Sequence, residues 1–456
     1  MGNNGVNTRA LALDILLMQE KGEDKSHNLL KAVLDKYDYL SSSDKGFIKR
    51  LVEGTTEYKL RLDYVINTYS KTPVNKLKPV IRQIMRMSIY QIMYMDRVPD
   101  SAVCNEAVKL TAARGLSGLK GFVNGVLRTV IREADTIKWP DEKQDMYKAL
   151  SVNYSCPEHI VRSLVSDYGY DIALNCLKES LSDERGTYVR IDESLSEDKI
   201  IKIINEISDG KTSSEISVSG QPEITKLAGK IDYAVSTLEP DKVMRMQEFK
   251  DGLITIQDIS SMCVCEAAEF DRLAGGKGIK VLDMCASPGG KSMHAAAKLK
   301  RYKIDGHILS LDVSENKLYT INENVSRMNL NDYIESGIWD ATVFNEEYED
   351  SFDVVIADIP CSGLGVIGRK PDIKYNVTPD SMNEIVTLQR RILDNAVRYV
   401  RPGGRLIFST CTMCKNENEG AKDYIINKGG YKLITSGQMF ISKANDGFYI
   451  AAFDRN

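Results

Sequence analysis

The stretch LDMCASPGGKS, Leu282–Ser292, decides how the C-terminal half of this chain is read. An apolar run, Gly278–Met284, leads into it and a helical pattern, Ser292–Lys300, leaves it, with Gly289 and Gly290 allowing a tight turn between them. The alternation then repeats: His307–Asp312 before Glu315–Met328, Phe352–Ala357 before Met382–Val400, and Gly404–Thr410 before Asn418–Asn427. Strand and helix in regular alternation specify right-handed βαβ units and a mostly parallel, doubly wound α/β sheet. Tyr431, Met439–Ser442 and Gly447–Phe453 read as a closing strand pair.

Upstream the pattern changes twice. Residues 8–133 carry apolar positions three and four apart, such as Phe122, Val126, Leu127 and Val130, and predict an all-α domain over 1–135. Residues 136–250 mix short helical patterns with alternating segments such as Thr187–Ile191, which predicts a small α/β or α+β subdomain before a third domain over 251–456. A chain of 456 residues accommodates three domains, and 43% hydrophobic residues with 27% charged ones exclude a disordered tail or a fibrous protein. The longest uncharged apolar runs, Ser260–Cys265 and Val354–Ala357, fall far short of the roughly 18–20 residues that cross a bilayer. The start MGNNGVNTRA lacks a secretory pattern, so a cytoplasmic protein is expected, and its nine cysteines read as free thiols rather than a disulfide framework.

The net charge of −4 argues against indiscriminate nucleic-acid binding, but the charge is unevenly spread: near +7 over 1–140, −7 over 141–250 and −4 over 251–456. With Pro79 in a first helical turn, Lys78, Arg82 and Arg86 fall four apart on one face, and Arg114, Lys120, Arg128 and Arg132 add to the region's charge. Such a stripe is either a solvated face or a set of phosphate contacts.

In open α/β sheets ligands lie at the carboxyl ends of the strands. Cys285, Ala286, Ser287, Pro288, Gly289, Gly290 and Lys291 form the first such loop, where close backbone approach and a helix N-terminus suit a nucleotide or nucleoside. It is neither a phosphate-binding Walker loop, since Cys285 stands where the first glycine is required, nor a G-x-G-x-x-G turn. Asp312, 22 residues past Gly290, ends the second strand, where a carboxylate either accepts from ribose hydroxyls or caps the next helix. Asp340 follows a third strand. The fourth ends in Asp358, Pro360 and Cys361 with Arg369, Lys370 and Lys374 behind, and the fifth in Cys411. Two thiols on adjacent strand ends are the least ordinary feature of the chain. Cys411-x-x-Cys414 and Cys263-x-Cys265 make a poor zinc set, with no histidine pair at ligand spacing, so no metal is expected.

Taken together, LDMCASPGGK, ADIPCSG (Ala357–Gly363), STCT (Ser409–Thr412), GLITIQDISSM (Gly252–Met262) and NDGFYIA (Asn445–Ala451) resemble the motifs of the 5-methylcytosine RNA methyltransferases of the Sun/Fmu/nucleolar-protein-2 family. VPDSAVCNEAV (Val98–Val108) and GFVNGVLR (Gly121–Arg128) resemble the NusB RNA-binding domain, and YSCPEHIV (Tyr154–Val161) the start of the family's middle segment. Ser287 and Ile359 stand where alanine is usual, and Arg190-Ile191-Asp192 departs from the family's RxN signature, which leaves that loop's role open. The resemblance implies a Rossmann-like class I methyltransferase domain that uses S-adenosyl-L-methionine on 16S rRNA, with cytosine 967 the expected base and a monomer the expected state. It implies Cys411 as nucleophile and Cys361 as the residue assisting release. It also implies cofactor contacts from the 285–291 loop, Asp312, Asp340 and Asp358, and RNA contacts from Lys78, Arg82, Arg86 and Arg369.

The chemistry gives its own reason for these residue types. Carbon 5 of cytosine is a poor nucleophile until a thiolate adds at carbon 6, and a carboxylate near N3, the role given to Asp358, shares the developing charge. From residues alone either thiol could attack. The glycine-to-aspartate spacing also permits a dinucleotide oxidoreductase, and a decayed transferase serving only as an RNA-binding factor is a third reading, against which the retention of both thiols argues.

Overall fold

The computed structural model describes residues 7–22, 26–37, 39–182, 184–208, 219–274 and 276–456, so part of the N-terminal stretch read above for a leader lies outside the described residues. The chain forms two compact units, residues 1–165 with 370–376, and residues 166–369 with 377–456.

The first unit is helical, as its periodicity predicts. Helices Thr8–Lys21, Ser42–Glu57, Lys59–Tyr69, Pro79–Tyr94, Asp100–Ala113 and Lys120–Glu133 bury Leu13, Ile48, Val65, Ile84, Leu110 and Leu127 in one core. Pro79 opens its helix, where its missing N–H costs nothing. The compact helical unit runs on past residue 135 to residue 165. Trp139 stacks on Tyr64 at 5.6 Å under the Arg61 guanidinium, and Ser155 Oγ accepts from Leu60 N at 3.0 Å, which ties 136–165 to the helices. Residues 370–376 belong here too: Lys374 Nζ donates to Glu57 O at 3.0 Å and Tyr375 Oη to Ser155 O at 2.9 Å.

The second unit holds two sheets. β1 (Thr187–Ile191), β2 (Ala234–Thr237) and β3 (Ile254–Ile256) form a small antiparallel sheet in the order β2-β1-β3. It packs Val189, Ile191, Val235 and Ile254 against helix Glu197–Ile207, so the middle segment is α+β and takes its third strand from beyond residue 250. The larger sheet comprises β4 (Ile279–Asp283), β5 (Gly306–Asp312), β6 (Ile334–Ile338), β7 (Phe352–Asp358), β8 (Val400–Thr410), β9 (Tyr431–Met439) and β10 (Phe448–Arg455). Its order is β6-β5-β4-β7-β8-β10-β9, all parallel except β10, which runs antiparallel to both neighbours.

Alternation along each strand sends side chains to two separate cores. Val281, Ile308, Val354 and Ile407 pack under helices Ile259–Ala268, Gly290–Arg301 and Glu315–Arg327, while Leu282, Val355, Leu406 and Phe408 pack under Pro379–Tyr399 and Glu419–Lys428. Strand order reverses between β4 and β7, and at such a switch point the carboxyl ends open a crevice for a ligand.

Candidate active site

β4 ends at Asp283 and the next helix begins at Gly290, so the loop between them turns at the sheet's centre. Gly289 caps that helix at φ 96°, a left-handed conformation open to glycine, and no side chain caps it, which leaves its first N–H groups pointing into the crevice. Two bonds pin the loop to β5: Ala286 N to Leu311 O at 2.9 Å and Ser287 N to Asp312 Oδ2 at 3.0 Å. The other Asp312 oxygen accepts from Val313 N at 2.7 Å and Lys317 Nζ at 2.8 Å. Asp340 is exposed and accepts twice from Thr342, which holds its carboxyl below the usual range.

Asp283 is fully buried; Oδ2 accepts from Ser292 Oγ at 2.7 Å and Oδ1 has no partner. Burial pushes its pKa up to about 6, with Ser292 and Lys291 pulling it down and Asp358 and Asp312 pushing the same way as burial. An orphaned buried carboxyl oxygen and two further carboxylates suit the hydroxyls and positive charge of a ligand, and the uncapped helix N-terminus beside them suits its carboxylate. A sulfonium nucleoside such as S-adenosylmethionine meets that description, and the residues present fit it.

Lys291 follows the loop and reaches across to β7, where its Nζ donates to Asp358 Oδ2 at 2.5 Å. Burial works to lower the ammonium's pKa, but Asp358, Asp283 and Cys411 outweigh it and the pKa is raised. The other Asp358 oxygen accepts from Ser409 Oγ at 2.8 Å on β8. Beyond these groups, Cys361 Sγ and Cys411 Sγ stand 3.3 Å apart. The hydrogen bond to Cys411, burial and the charge of Glu417 all push the Cys361 thiol well above its usual value. Gly365 N donates to Cys411 O at 3.0 Å, and a Cβ at Gly365 would lie 1.8 Å from Gly447 O, so only glycine allows this approach.

The crevice therefore brings together Asp358, Cys361, Cys411, Lys291 and the 285–291 loop, with Asp312 behind them. Burial and then Asp312, Asp283 and Asp358 push the Cys285 thiol far up, so it stays protonated. The basic residues behave otherwise. Arg369, although exposed, is held by Asp446, with Nε 2.9 Å from each carboxylate oxygen, and by Asp258 at 3.3 Å, so its charge is already paired. Arg82 donates to Glu20 at 2.8 Å and Arg86 is a bidentate partner of Asp63 at 2.6 and 2.7 Å, which leaves Lys78 as the exposed member of that stripe. Asp283, Ser409 and Glu417 escaped the sequence reading, although Asp283 offered the same signal as Asp312 and Asp358, a carboxylate closing a strand.

Glu193, Glu266 and His294 also converge, all buried. Lys298 Nζ bonds both carboxylates there, so this cluster carries its own cation.

The fold and the crevice define an S-adenosylmethionine-dependent methyltransferase. Residues 272–454 match the family described as 16S rRNA methyltransferase RsmB/F, and residues 6–132 match the NusB family. The probable ribosomal RNA small subunit methyltransferase B of Bacillus subtilis is 34% identical over 412 residues, covering 90% of this chain and 86% of that protein. The ribosomal RNA small subunit methyltransferase B of Escherichia coli is 27% identical over 418 residues, covering 90% and 88%. The solved structure of PH0851 superposes over 100% of both chains with a TM-score of 0.73 at 20% identity, a likeness of fold. The chain belongs to the RsmB/F family of rRNA methyltransferases. No helix among its described residues is long and apolar enough to cross a membrane.

Proposed function

We propose that this protein transfers the methyl group of S-adenosylmethionine to carbon 5 of a cytosine in 16S rRNA, cytosine 967 being the expected base, through a covalent adduct of Cys411 at carbon 6, acting as a monomer in the cytoplasm. The observation that carries the reading is the placement of two thiols 3.3 Å apart beside the Lys291–Asp358 pair, at the ends of adjacent strands β7 and β8.

Each residue has a task set by its surroundings. Lys291 puts a positive charge beside Cys411, a setting that favours a thiolate nucleophile. Attack at carbon 6 leaves carbon 5 enamine-like and able to take a methyl group, which S-adenosylmethionine, when bound, would supply as an electrophile, its S–methyl bond breaking to leave the neutral thioether. Asp358, fixed by Lys291 and Ser409, faces N3 and the exocyclic amine and steadies the charge that develops there. Loss of the carbon-5 proton to a base and rupture of the Cys411–carbon-6 bond return the thiolate and free the methylated base, and Cys361 assists that release. The base must be unstacked to expose carbon 6.

An SDS-resistant adduct assay on 16S rRNA fragments tests this. Cys361→Ala is expected to accumulate a covalent complex and Cys411→Ala to form none. The reverse pattern would exchange the two roles, and a folded protein that forms neither adduct nor methylated RNA would overturn the reading.

A further inference from the structure

The loops that carry the two thiols are joined beside them by a set of buried contacts that the reaction scheme above leaves unused. Ser362, next to Cys361, and Thr412, next to Cys411, share a hydroxyl hydrogen bond of 2.7 Å. Ser362 N also donates to Glu417 Oε2 at 2.8 Å, and Glu417 is set by its own N–H bonding Cys414 O at 3.1 Å. Ser362 is 5% exposed, and Thr412 and Glu417 are 0% exposed.

Burying a carboxyl is costly unless something compensates. Asp358 has Lys291 and Asp312 has Lys317, but no ion pair to Glu417 is found among the described residues; burial raises its pKa, against hydrogen bonds from Ser362 and the Cys414 thiol. The contact Glu417 does make fixes the backbone one residue from Cys361. Behind its hydrogen bond to Cys411 and burial, the Cys361 thiol is also pushed up by Glu417, whereas the Lys291 ammonium acts on Cys411.

We infer that Glu417, with the Ser362–Thr412 hydroxyl pair, is a clasp that positions Cys361 against the Cys411 adduct for the release step. The inference rests on the covalent reading above. Glu417 is a positioning residue: it acts through Ser362 N and touches neither substrate nor cofactor.

The test follows kcat, KM and SDS-resistant adduct for wild type, Glu417→Ala, Glu417→Gln, Thr412→Val and Cys361→Ala, on full-length protein with 16S rRNA fragments. Glu417→Ala is expected to lower kcat about tenfold, the loss that matches one well-made hydrogen bond, to leave KM for S-adenosylmethionine within about twofold, and to accumulate adduct as Cys361→Ala does. Glu417→Gln keeps an acceptor for Ser362 N–H and is expected to recover most of the rate. Thr412→Val is expected to shift the same quantities by a smaller factor, and it decides the matter if Glu417→Ala does not fold. Wild-type kinetics without adduct in both Glu417→Ala and Thr412→Val would overturn the clasp. So would joint loss of adduct and cofactor binding in folded Glu417→Ala. Failure of Cys361→Ala to accumulate adduct while wild type methylates RNA would instead strike the covalent role of Cys361.

Discussion

One helix, Gly290–Arg301, carries two lysines of nearly opposite meaning. Lys291 and Lys298 are seven residues apart and so lie on one face, about 10 Å apart along the axis. Around Lys298 the charges are paired: it bonds Glu266 and, at 2.9 Å, Glu193, while Tyr233 Oη lies 3.0 Å from His294 Nε2 and donates to Glu266, and Arg301 bonds Glu193 at 2.9 Å, with Glu193 Oε1 and His294 Nδ1 left without a hydrogen-bond partner. Around Lys291 the set is open: Asp358 keeps a quarter of its side chain exposed, Asp283 has an oxygen with no partner, and two part-buried thiols stand nearby. A charged cluster thus marks a reaction site where a part-exposed carboxylate and thiols stand beside the cation, and a structural rivet where the cation is shut between two buried carboxylates.

Removing one charge from each end is the sharpest way to break this contrast. Lys298→Met strips the cation from two buried carboxylates, and breaking such a pair from one side costs about 3–5 kcal/mol. Its melting midpoint is expected to fall far while the folded fraction keeps its methyl-transfer rate. Lys291→Met is expected to do the reverse, losing about 10²–10³ in kcat with little change in unfolding free energy, as when one preorganised charge is removed from a reacting centre. Equal loss of stability in both variants would abolish the distinction.

Acid titration sharpens it further, because the two ends respond to pH with opposite sign. Asp283, raised from 3.8 to about 6, binds its proton more tightly folded than unfolded, so stability falls as pH rises through that window; about two units correspond to about 3 kcal/mol. Asp283→Asn is expected to be the more stable protein above pH 6 and flat across the window, at the expense of S-adenosylmethionine affinity. His294 is held neutral, its pKa lowered to about 3 by burial and then by Arg190, with Glu193 pulling the other way. Its stabilisation is complete above pH 6.5 and is lost as pH falls toward 3, a decline that His294→Gln is expected to flatten. Urea unfolding of the three proteins between pH 4 and 8 measures both slopes, and slopes of one sign would contradict the two environments.

What the sequence made legible follows the range of the physics. Strand and helix periods are local, so the doubly wound sheet was readable, and the strand-end rule placed Asp358, Cys361 and Cys411 together before any coordinates. Pairings across the chain are not local. Glu20, 62 residues from Arg82, consumes a charge that the helix face alone offers to phosphate, and Asp446 does the same to Arg369. Glu417 sits in KNENEG, a run of polar residues that reads as exposed, and only the fold shows that it is buried. The extension of the helical unit past 135 is illegible for a like reason, since Trp139 and Ser155 anchor residues 136–165 through partners more than 70 positions away.

The same rule, carried to the helical unit, gives the smallest and most easily reversed effect. Arg86 is 5% exposed and spent on Asp63, whereas Lys120 and Arg128 are exposed on helix Lys120–Glu133 and Lys78 is exposed just before Pro79. If RNA phosphates are met by charges left over, Lys120→Gln with Arg128→Gln is expected to weaken RNA binding evenly across sequences and to flatten the plot of log affinity against log salt by about two. Lys78→Gln should flatten it by about one. Arg86→Gln is expected to leave that slope unchanged and to lower stability instead, because Asp63 loses its partner. Binding titrations at several salt concentrations separate the cases, and a slope that moved with Arg86 but not with Lys120 and Arg128 would mean that RNA binding breaks the Asp63 pair to reach a charge the free protein has already used.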